Sequence, residues 1–181
     1  MGVNTFFSAA KAQASEASTG HDAYDMILVG GGLQNCLIAC SVLGARPSTR
    51  LLMIEAAPRL AGNHTWCFHP RDLPETVAEA CKGFVARRWP AYEVRFPRLN
   101  RLVQSEYAMM TSERVHQQVS ALFHDSASAD LLLRTEVALS SPGEVITRDG
   151  RSFSAAVVVD SRGPGQKPPA GFVTDHLKPE T

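Results

Sequence analysis

The pattern of hydrophobic and polar positions first indicates a strand, a tight turn, a helix and a second strand. An apolar run at 25–29 stops at three consecutive glycines, Gly30 to Gly32, as a buried strand does on entering a turn. Apolar positions then recur at helical spacing over 33–45, and a second apolar run at 50–55 ends in an acid. Two strands joined in this way are almost always parallel. These elements predict an α/β fold.

The rest of the chain is predicted to be less regular. The segment 56–90 is rich in proline and predicts an irregular insertion with one short helix at 75–82. The later elements are predicted, in order, as a weak strand at 95–102, a helix from Thr111 or Ser112 to about 124, a strand at 131–139, a hairpin at 145–154 that turns at Asp149-Gly150, and a buried strand at 155–160. Together they predict one domain at 24–163, a mobile tail at 1–23 and an unstructured, proline-rich tail at 164–181.

Composition and charge limit the classes of function. Hydrophobic residues make up 44% and charged residues 20% of the chain, which is a globular rather than a disordered composition. Lys+Arg and Asp+Glu are both 18, so the net charge provides no general attraction to nucleic acid. The 4 cysteines form no close CxxC pair, which is typical of free thiols in a reducing cytoplasm. No apolar run is long enough for a spanning helix, and no signal peptide is recognisable.

The glycine-rich turn after the first strand predicts a binding site for the pyrophosphate of a dinucleotide. Its pattern is Gly30-x-Gly32-x-x-Asn35. In such a loop Gly30 permits the tight turn, and Gly32 lets the backbone come close to the pyrophosphate. The anion then lies on backbone amides at the start of the helix, so we expect Gly31 and Leu33 to contact the cofactor as well.

Two polar residues complete the predicted dinucleotide site. Asn35 stands where a third glycine is usual, and we expect it to loosen the packing of helix on strand while leaving the anion site intact. Glu55 lies 20 residues beyond Asn35, where an acid accepts hydrogen bonds from a ribose hydroxyl. The loop alone does not choose between FAD and NAD. Its place near the start of the chain, and a late strand at 157–160 that closes on Gly163, favour FAD.

Other groups of reactive or basic residues favour ordinary structural roles. His64, Cys67 and His69 have a spacing that zinc ligands can adopt, but no fourth ligand is evident, so no metal is predicted. The basic, aromatic stretch at 87–101 is similar to surfaces that bind single-stranded nucleic acid. The neutral total charge favours a basic surface strand or contact with a phosphate head group instead. Cys36 lies at a helix start, where thiol pKa values fall, but a buried packing role is favoured.

Four segments carry a resemblance to a known family. They read GGGLQNCLIA at 30–39, AGNHTWCFH at 61–69, WPAYEVRFP at 89–97 and VVVDSRG at 157–163. In this order and spacing they resemble motifs of the bacterial lycopene beta-cyclases, over about 23–163. Cys36 and Cys67 depart from the family's glycine and serine, and the chain is much shorter than the family's usual length.

The resemblance implies a fold, a cofactor and a reaction. The fold is an α/β, FAD/NAD(P)-binding Rossmann-like three-layer domain, here incomplete. The cofactor is FAD kept reduced by NAD(P)H, and the reaction is a redox-neutral cyclisation of the ends of lycopene to beta-ionone rings. Trp66 and its neighbours are expected to border the flavin or substrate cavity. The family's cofactor residues correspond here to Gly30, Gly32, Asn35, Glu55 and, at the start of the later helix, Arg114, which is expected to touch the FAD phosphates.

The same resemblance sets expectations for location and activity. Lycopene resides in the bilayer, so the protein is expected to be cytoplasmic and peripheral to the inner face of the membrane, without a nucleic-acid partner. The family's acidic motif lies beyond this chain, so no catalytic residue is assigned and the 181-residue chain alone is expected to be inactive. Two alternatives stay open: another FAD- or NAD(P)-dependent oxidoreductase of monooxygenase type, and a non-catalytic fragment.

Overall fold

A computed structural model describes residues 23–80 and 82–162. The helices are α1 (Leu33–Ala45), α2 (Glu75–Ala80) and α3 (Ser112–Asp125), and short 3-10 turns occur at Pro70–Asp72 and Lys82–Phe84. The strands are β1 (Ala23–Val29), β2 (Leu51–Ile54), β3 (Thr65–Phe68), β4 (Val85–Trp89), β5 (Tyr92–Phe96), β6 (Leu99–Val103), β7 (Tyr107–Thr111), β8 (Ala129–Leu132), β9 (Val137–Ser141), β10 (Glu144–Thr147) and β11 (Ser152–Asp160).

The largest sheet has six strands in the order β8-β2-β1-β11-β10-β9. The first four of these run parallel, and β10 and β9 continue the sheet antiparallel. Strand β1 is central, since Ile27 pairs with Leu52 of β2 on one side and with Val158 of β11 on the other. The chain passes from β1 through α1 to its parallel neighbour β2, so the predicted strand–helix–strand unit is confirmed.

The two faces of the parallel strands are covered by different layers. On one face Leu28 packs in a core that includes the fully buried Val115 of α3 and residues of α1. On the other face Ile27 packs in a second core with Val137 and Val145, which come from the meander of β9 and β10. Burial of each large aliphatic side chain contributes about 1.5–3 kcal/mol. The two cores therefore lie on opposite faces of the parallel strands, one with the helices and the other with side chains from the antiparallel strands of the same sheet.

The prediction of an irregular insertion at 56–90 is partly wrong. This segment contains strands β3 and β4, which flank β7 in an antiparallel sheet of order β3-β7-β4. Strand β4 was not predicted from the sequence because it lacks an apolar alternation. Its three central residues, 86–88, are all exposed. Backbone pairing with β7, rather than a buried face, holds it in place.

Two single-strand predictions are also wrong. The stretch 95–102 is part of the hairpin of β5 and β6, which turns at Pro97 and Arg98. The stretch 131–139 is divided between β8 and β9, which lie at opposite edges of the six-stranded sheet. Arg134 between them has a φ of 54°, in the left-handed region, and this breaks the extended run.

Other predicted boundaries agree with the structure. The Thr111 hydroxyl caps α3 by accepting from the backbone N–H of Arg114 at 3.4 Å. The hairpin turn at Asp149-Gly150 is present between β10 and β11, and β11 continues without a break through 155–160. The predicted tails at 1–23 and 164–181 lie outside the described residues, except that Ala23 already begins β1. No helix within the described residues is long and apolar enough to cross a membrane.

Candidate functional site

The glycine loop lies in a cleft at the carboxyl end of the parallel strands. Here β1 leads into the loop, Glu55 directly follows β2, and Ser161 and Arg162 directly follow β11. Open α/β sheets bind ligands at such a point, where the chain leaves the central strand to one side and returns on the other. The cleft has a volume of about 470 Å³. Its walls are the loop 30–33, the segment that follows Glu55, the His64 and Trp66 side chains, and the end of β11.

The three loop glycines have different surroundings, and the fold needs glycine at two of the three positions. Gly30 has a φ of 92°, which favours glycine and produces the tight turn predicted for it. A Cβ on Gly31 would lie 2.4 Å from Cδ2 of the buried Leu60, so any side chain there would force the packed Leu60 to shift. A Cβ on Gly32 would meet nothing within 4 Å, and its φ of −69° suits any residue. Since the fold does not need glycine at position 32, the open space in front of it is available to a ligand.

The start of α1 offers donors to an anion. Gly32 is the N-cap residue and has no side chain to bond the amides of the first turn. Those amides have no acceptor inside the helix, and the first turn contains no acidic side chain. A helix start with free amides and a positive dipole end favours a phosphate. The geometry therefore fits the predicted pyrophosphate contacts of Gly32 and Leu33.

Glu55 fastens the glycine loop to the end of β2. Its Oε2 atom accepts from the Gly31 N–H at 2.5 Å, and its Oε1 atom accepts from the Ala57 N–H at 2.6 Å. The half-buried carboxylate also lines the cleft. A carboxylate oxygen can accept more than one hydrogen bond. The predicted contact with a ribose hydroxyl thus stays a prediction, and Glu55 has a structural role that the sequence did not indicate.

Asn35 joins the glycine loop to the end of β11. Its Nδ2 donates to the carbonyls of Val29 at 3.0 Å and Gly30 at 2.7 Å, and its Oδ1 accepts from the Ser161 hydroxyl at 2.9 Å. The Asn35 side chain is fully buried. The expectation of looser packing at this position is wrong, because the side chain replaces close contact with three hydrogen bonds.

We expect Asn35→Ala to lower the free energy of unfolding by about 1–3 kcal/mol, since it leaves two loop carbonyls and one hydroxyl without their partner. Asn35→Gly should lose at least as much, although glycine is the usual residue of the loop pattern. Urea denaturation measures both, with Gln34→Ala on the exposed side of the same turn as the control. An Asn35→Gly protein as stable as the native one would show that the hydrogen bonds do not hold the loop.

Two arginines near the cleft differ from expectation. Arg114 lies on the first turn of α3, where its Nη1 donates to the Val85 carbonyl at 2.6 Å, and it does not line the cleft. Its contact with FAD phosphates stays a prediction. Arg59 does line the cleft and forms an ion pair with Glu113. Arg59 was not among the site residues predicted from the sequence, although a cation four residues after the ribose acid was an available signal.

An ion pair fixes the wall of the cleft at the end of β11. Arg162 donates from Nε to Asp160 Oδ1 at 2.9 Å and from Nη1 to the Val137 carbonyl at 3.0 Å. Partial burial acts to raise the pKa of Asp160, but hydrogen bonds from Arg162 and Ser140 outweigh it and hold the pKa below its usual value. Asp160 is therefore charged near neutral pH. Sequence analysis gave this pair no role.

The possible zinc ligands have other neighbours. The His64 ring packs 5.6 Å from the Trp66 ring, and His69 Nδ1 lies 3.0 Å from the Glu106 carbonyl oxygen. Residues 23–80 and 82–162 contain no group of three side chains placed to hold a metal ion. The absence of a structural zinc stays a prediction.

Cys36 has the buried packing role that the sequence favoured. Its side chain is fully buried, and its thiol donates to the Gly31 carbonyl at 3.5 Å. Burial, assisted by Cys40 and Glu55, raises the pKa of Cys36 to about 12. The thiol is therefore protonated at neutral pH, and the helix start does not activate it.

Comparison with known proteins identifies the family. The family described as "Lycopene cyclase protein" matches residues 25–177. The chain belongs to the lycopene cyclase family. It is 39% identical over 140 residues to the lycopene beta-cyclase of Pantoea ananas, which covers 77% of this chain and 36% of that protein. It is 30% identical over 140 residues to the lycopene beta-cyclase of Paracoccus sp. (strain N81106 / MBIC 01143), which covers 77% and 35%. The chain thus spans little more than a third of the curated relatives it matches.

Solved structures with a similar fold include monooxygenases, one of them described as FAD-dependent. A probable FAD-dependent monooxygenase of Pseudomonas aeruginosa, PqsL, has a TM-score of 0.59 at 19% identity, covering 76% of this chain and 42% of that one. The p-nitrophenol 4-monooxygenase of Pseudomonas putida DLL-E4 has a TM-score of 0.56 at 14% identity, covering 78% and 41%. These similarities confirm the predicted fold class, a FAD-binding Rossmann-like α/β domain of which the chain contains a part.

Proposed function

We propose that this chain is the flavin-binding N-terminal part of a lycopene beta-cyclase. The observation that carries the proposal is the cleft in front of Gly32, which is open where the glycine loop presents the free amides of α1. Membership of the lycopene cyclase family supports lycopene as the substrate. The similarity to FAD-dependent monooxygenases supports FAD, rather than NAD, as the group in the cleft.

Different residues of the cleft bind different parts of FAD. The loop 30–33 holds the pyrophosphate, with Asn35 setting the position of the loop and Glu55 accepting from the ribose. Arg59 lies where it can face the phosphates, and Arg114 can do so if its side chain leaves the Val85 carbonyl. When bound and reduced by NAD(P)H, the flavin would supply negative charge beside the carbocation of a redox-neutral ring closure.

The proton that starts cyclisation must come from another part of the enzyme. Among the described residues, Glu55 is the one acid that lines this cleft, and both of its oxygens already accept backbone N–H groups. A general acid must reach the atom that it protonates. We assign the proton donor to the part of the cyclase relatives that this chain does not match, and we expect the 181-residue chain alone to be inactive.

The test is a chimaera expressed in bacteria that accumulate lycopene. In the Pantoea ananas enzyme, the segment that matches this chain is replaced by the 140 residues of this chain that match it. We expect the chimaera to convert red lycopene to orange beta-carotene, and the 181-residue chain alone to leave the pigment red. The chimaera carrying Gly32→Val is the control and should also leave it red. Pigment extraction and chromatography measure all three.

Bound flavin distinguishes a misfolded chimaera from a wrong proposal. A chimaera that purifies with FAD but leaves lycopene unchanged contradicts the cyclase assignment. If it also consumes NAD(P)H with oxygen, the monooxygenase alternative replaces the cyclase, an alternative that the fold neighbours favour. Conversion of lycopene by the 181-residue chain alone would show that no further acid is needed.

A further inference from the structure

The hairpin of β5 and β6, residues 92–103, concentrates exposed apolar surface at its end. Phe96 is 60% exposed and Leu99 is 56% exposed, and they form the last pair of the hairpin, next to the turn. Leu102, 60% exposed, lies on the same hairpin. These are three of the five large hydrophobic residues recorded as exposed among the described residues. The directly paired Phe96 and Leu99 form a continuous apolar tip, and an exposed apolar patch of this kind marks an interaction surface.

The pairing of the strands shows which side chains share a face. Directly paired residues of an antiparallel hairpin point to the same side, and successive pairs alternate. One face therefore carries the apolar pair Phe96–Leu99, next the pair Val94–Arg101, and then Tyr92 at the base. Leu102 and Arg95 lie on the opposite face. The tip of the first face is thus apolar, and it is followed by a cation.

Basic side chains surround this apolar tip. Arg98 forms the turn, and Arg101 lies on the face that carries Phe96 and Leu99. Both arginines are exposed and form no ion pair with any described carboxylate, whereas Arg95 is paired with Glu93 at 2.7 Å. Arginine can keep its aliphatic stem against apolar groups and direct its guanidinium to phosphate.

We propose that the tip of this hairpin docks the protein on the surface of an anionic phospholipid bilayer. Phe96 and Leu99 enter the boundary between head groups and acyl chains, and Arg98 and Arg101 bind lipid phosphates. The unpaired backbone groups on the outer edges of a two-stranded hairpin cannot enter hydrocarbon. The insertion is therefore shallow. A protein partner would have to remove both unpaired arginines from water, which is costly without matching acids.

The base of the hairpin connects this surface to the cleft. Tyr92 packs against the rings of His69 at 5.4 Å and Tyr107 at 5.7 Å. His69 directly follows β3, and Trp66 of the same strand lines the cleft. Three residues of extended chain, roughly 10 Å, separate the two points. Docking of the tip would connect the cleft, through β3 and the hairpin, to the bilayer in which the proposed lycopene substrate is dissolved.

The test is flotation of the purified 181-residue chain with vesicles that contain neither lycopene nor flavin. We expect binding to vesicles of phosphatidylcholine with phosphatidylglycerol, and much weaker binding to phosphatidylcholine alone. The pair Phe96→Ser with Leu99→Ser, and the pair Arg98→Glu with Arg101→Glu, should each weaken binding roughly tenfold or more. Leu139→Ser on β9, at a residue 54% exposed, is the control and should bind as the native chain does.

Three results would overturn the proposal. The first is equal binding to neutral and anionic vesicles, and the second is unchanged vesicle binding of both double variants. The third is that the double variant of Phe96 and Leu99 changes the oligomeric state in gel filtration but not the flotation. The last result would make a second copy of the chain the occupant of the tip. The inference uses the proposed function only to explain why a membrane is needed. A failure of flotation with normal FAD binding therefore counts against the hairpin alone.

Discussion

Gly32→Val is expected to abolish FAD binding while the protein keeps its fold. Apart from the two neighbouring residues in the chain, no described atom lies within 4 Å of where the valine Cβ would stand, so the empty protein has room for that atom. The backbone of Gly32, with φ of −69° and ψ of 172°, is extended and suits valine. The cost to stability is about 1 kcal/mol, because glycine is preferred over valine at a helix N-cap. In the presence of FAD the same atoms would occupy the space proposed for the pyrophosphate.

Titration of FAD into the purified chain, followed by flavin fluorescence, measures this effect. We expect the dissociation constant to rise by roughly a hundredfold or more, about 3 kcal/mol of binding free energy. Gly31→Ala is expected to affect the fold instead of the ligand site. Its Cβ would overlap the buried Leu60 and destabilise the fold by about 1–3 kcal/mol. If Gly32→Val protein retains its flavin, the pyrophosphate does not lie at the loop.

The sequence predicted the loop well because its determinants are local. The apolar run before the glycines, the helical spacing after them and the acid that ends the second strand all lie within 25–55. The roles of Gly30 and Gly32 follow from backbone geometry that any such loop shares. The role of Gly31 does not, because it depends on Leu60, which reaches the loop only through the packing of the segment after β2.

The parts that were missed depend on residues far apart in the chain. Asn35 is held by Ser161, 126 residues away, and no local pattern indicates that bond. The hairpin of β5 and β6 was interpreted as one weak strand because its turn, at Pro97 and Arg98, contains neither glycine nor asparagine. Local signals predict an element well when its cause is its own sequence, and poorly when a distant partner decides it.

Glu55→Ala is expected to affect both the fold and the cofactor. It removes the acceptor of the Gly31 and Ala57 N–H groups, which lie at 2.5 and 2.6 Å from the two carboxylate oxygens. The site is half-buried, so water can replace those bonds only in part, and we expect a loss of about 1–3 kcal/mol in the free energy of unfolding. Loss of the ribose contact should weaken FAD binding by a further 1–3 kcal/mol, about five- to a hundredfold.

Glu55→Gln separates the two roles of the carboxylate. The amide oxygen of the glutamine can replace one acceptor, whereas its NH2 group faces the other backbone N–H. The stability of the Glu55→Gln protein should therefore fall between those of the native and Glu55→Ala proteins. Glu136→Gln is the control, because Glu136 is an exposed partner of Arg148 and such pairs contribute little. Urea denaturation and FAD titration are measured on all three variants. Loss of FAD binding with native stability in both Glu55 variants would show that Glu55 binds the ribose but does not stabilise the loop. Reduced stability with native FAD affinity would instead confine Glu55 to holding the loop against β2.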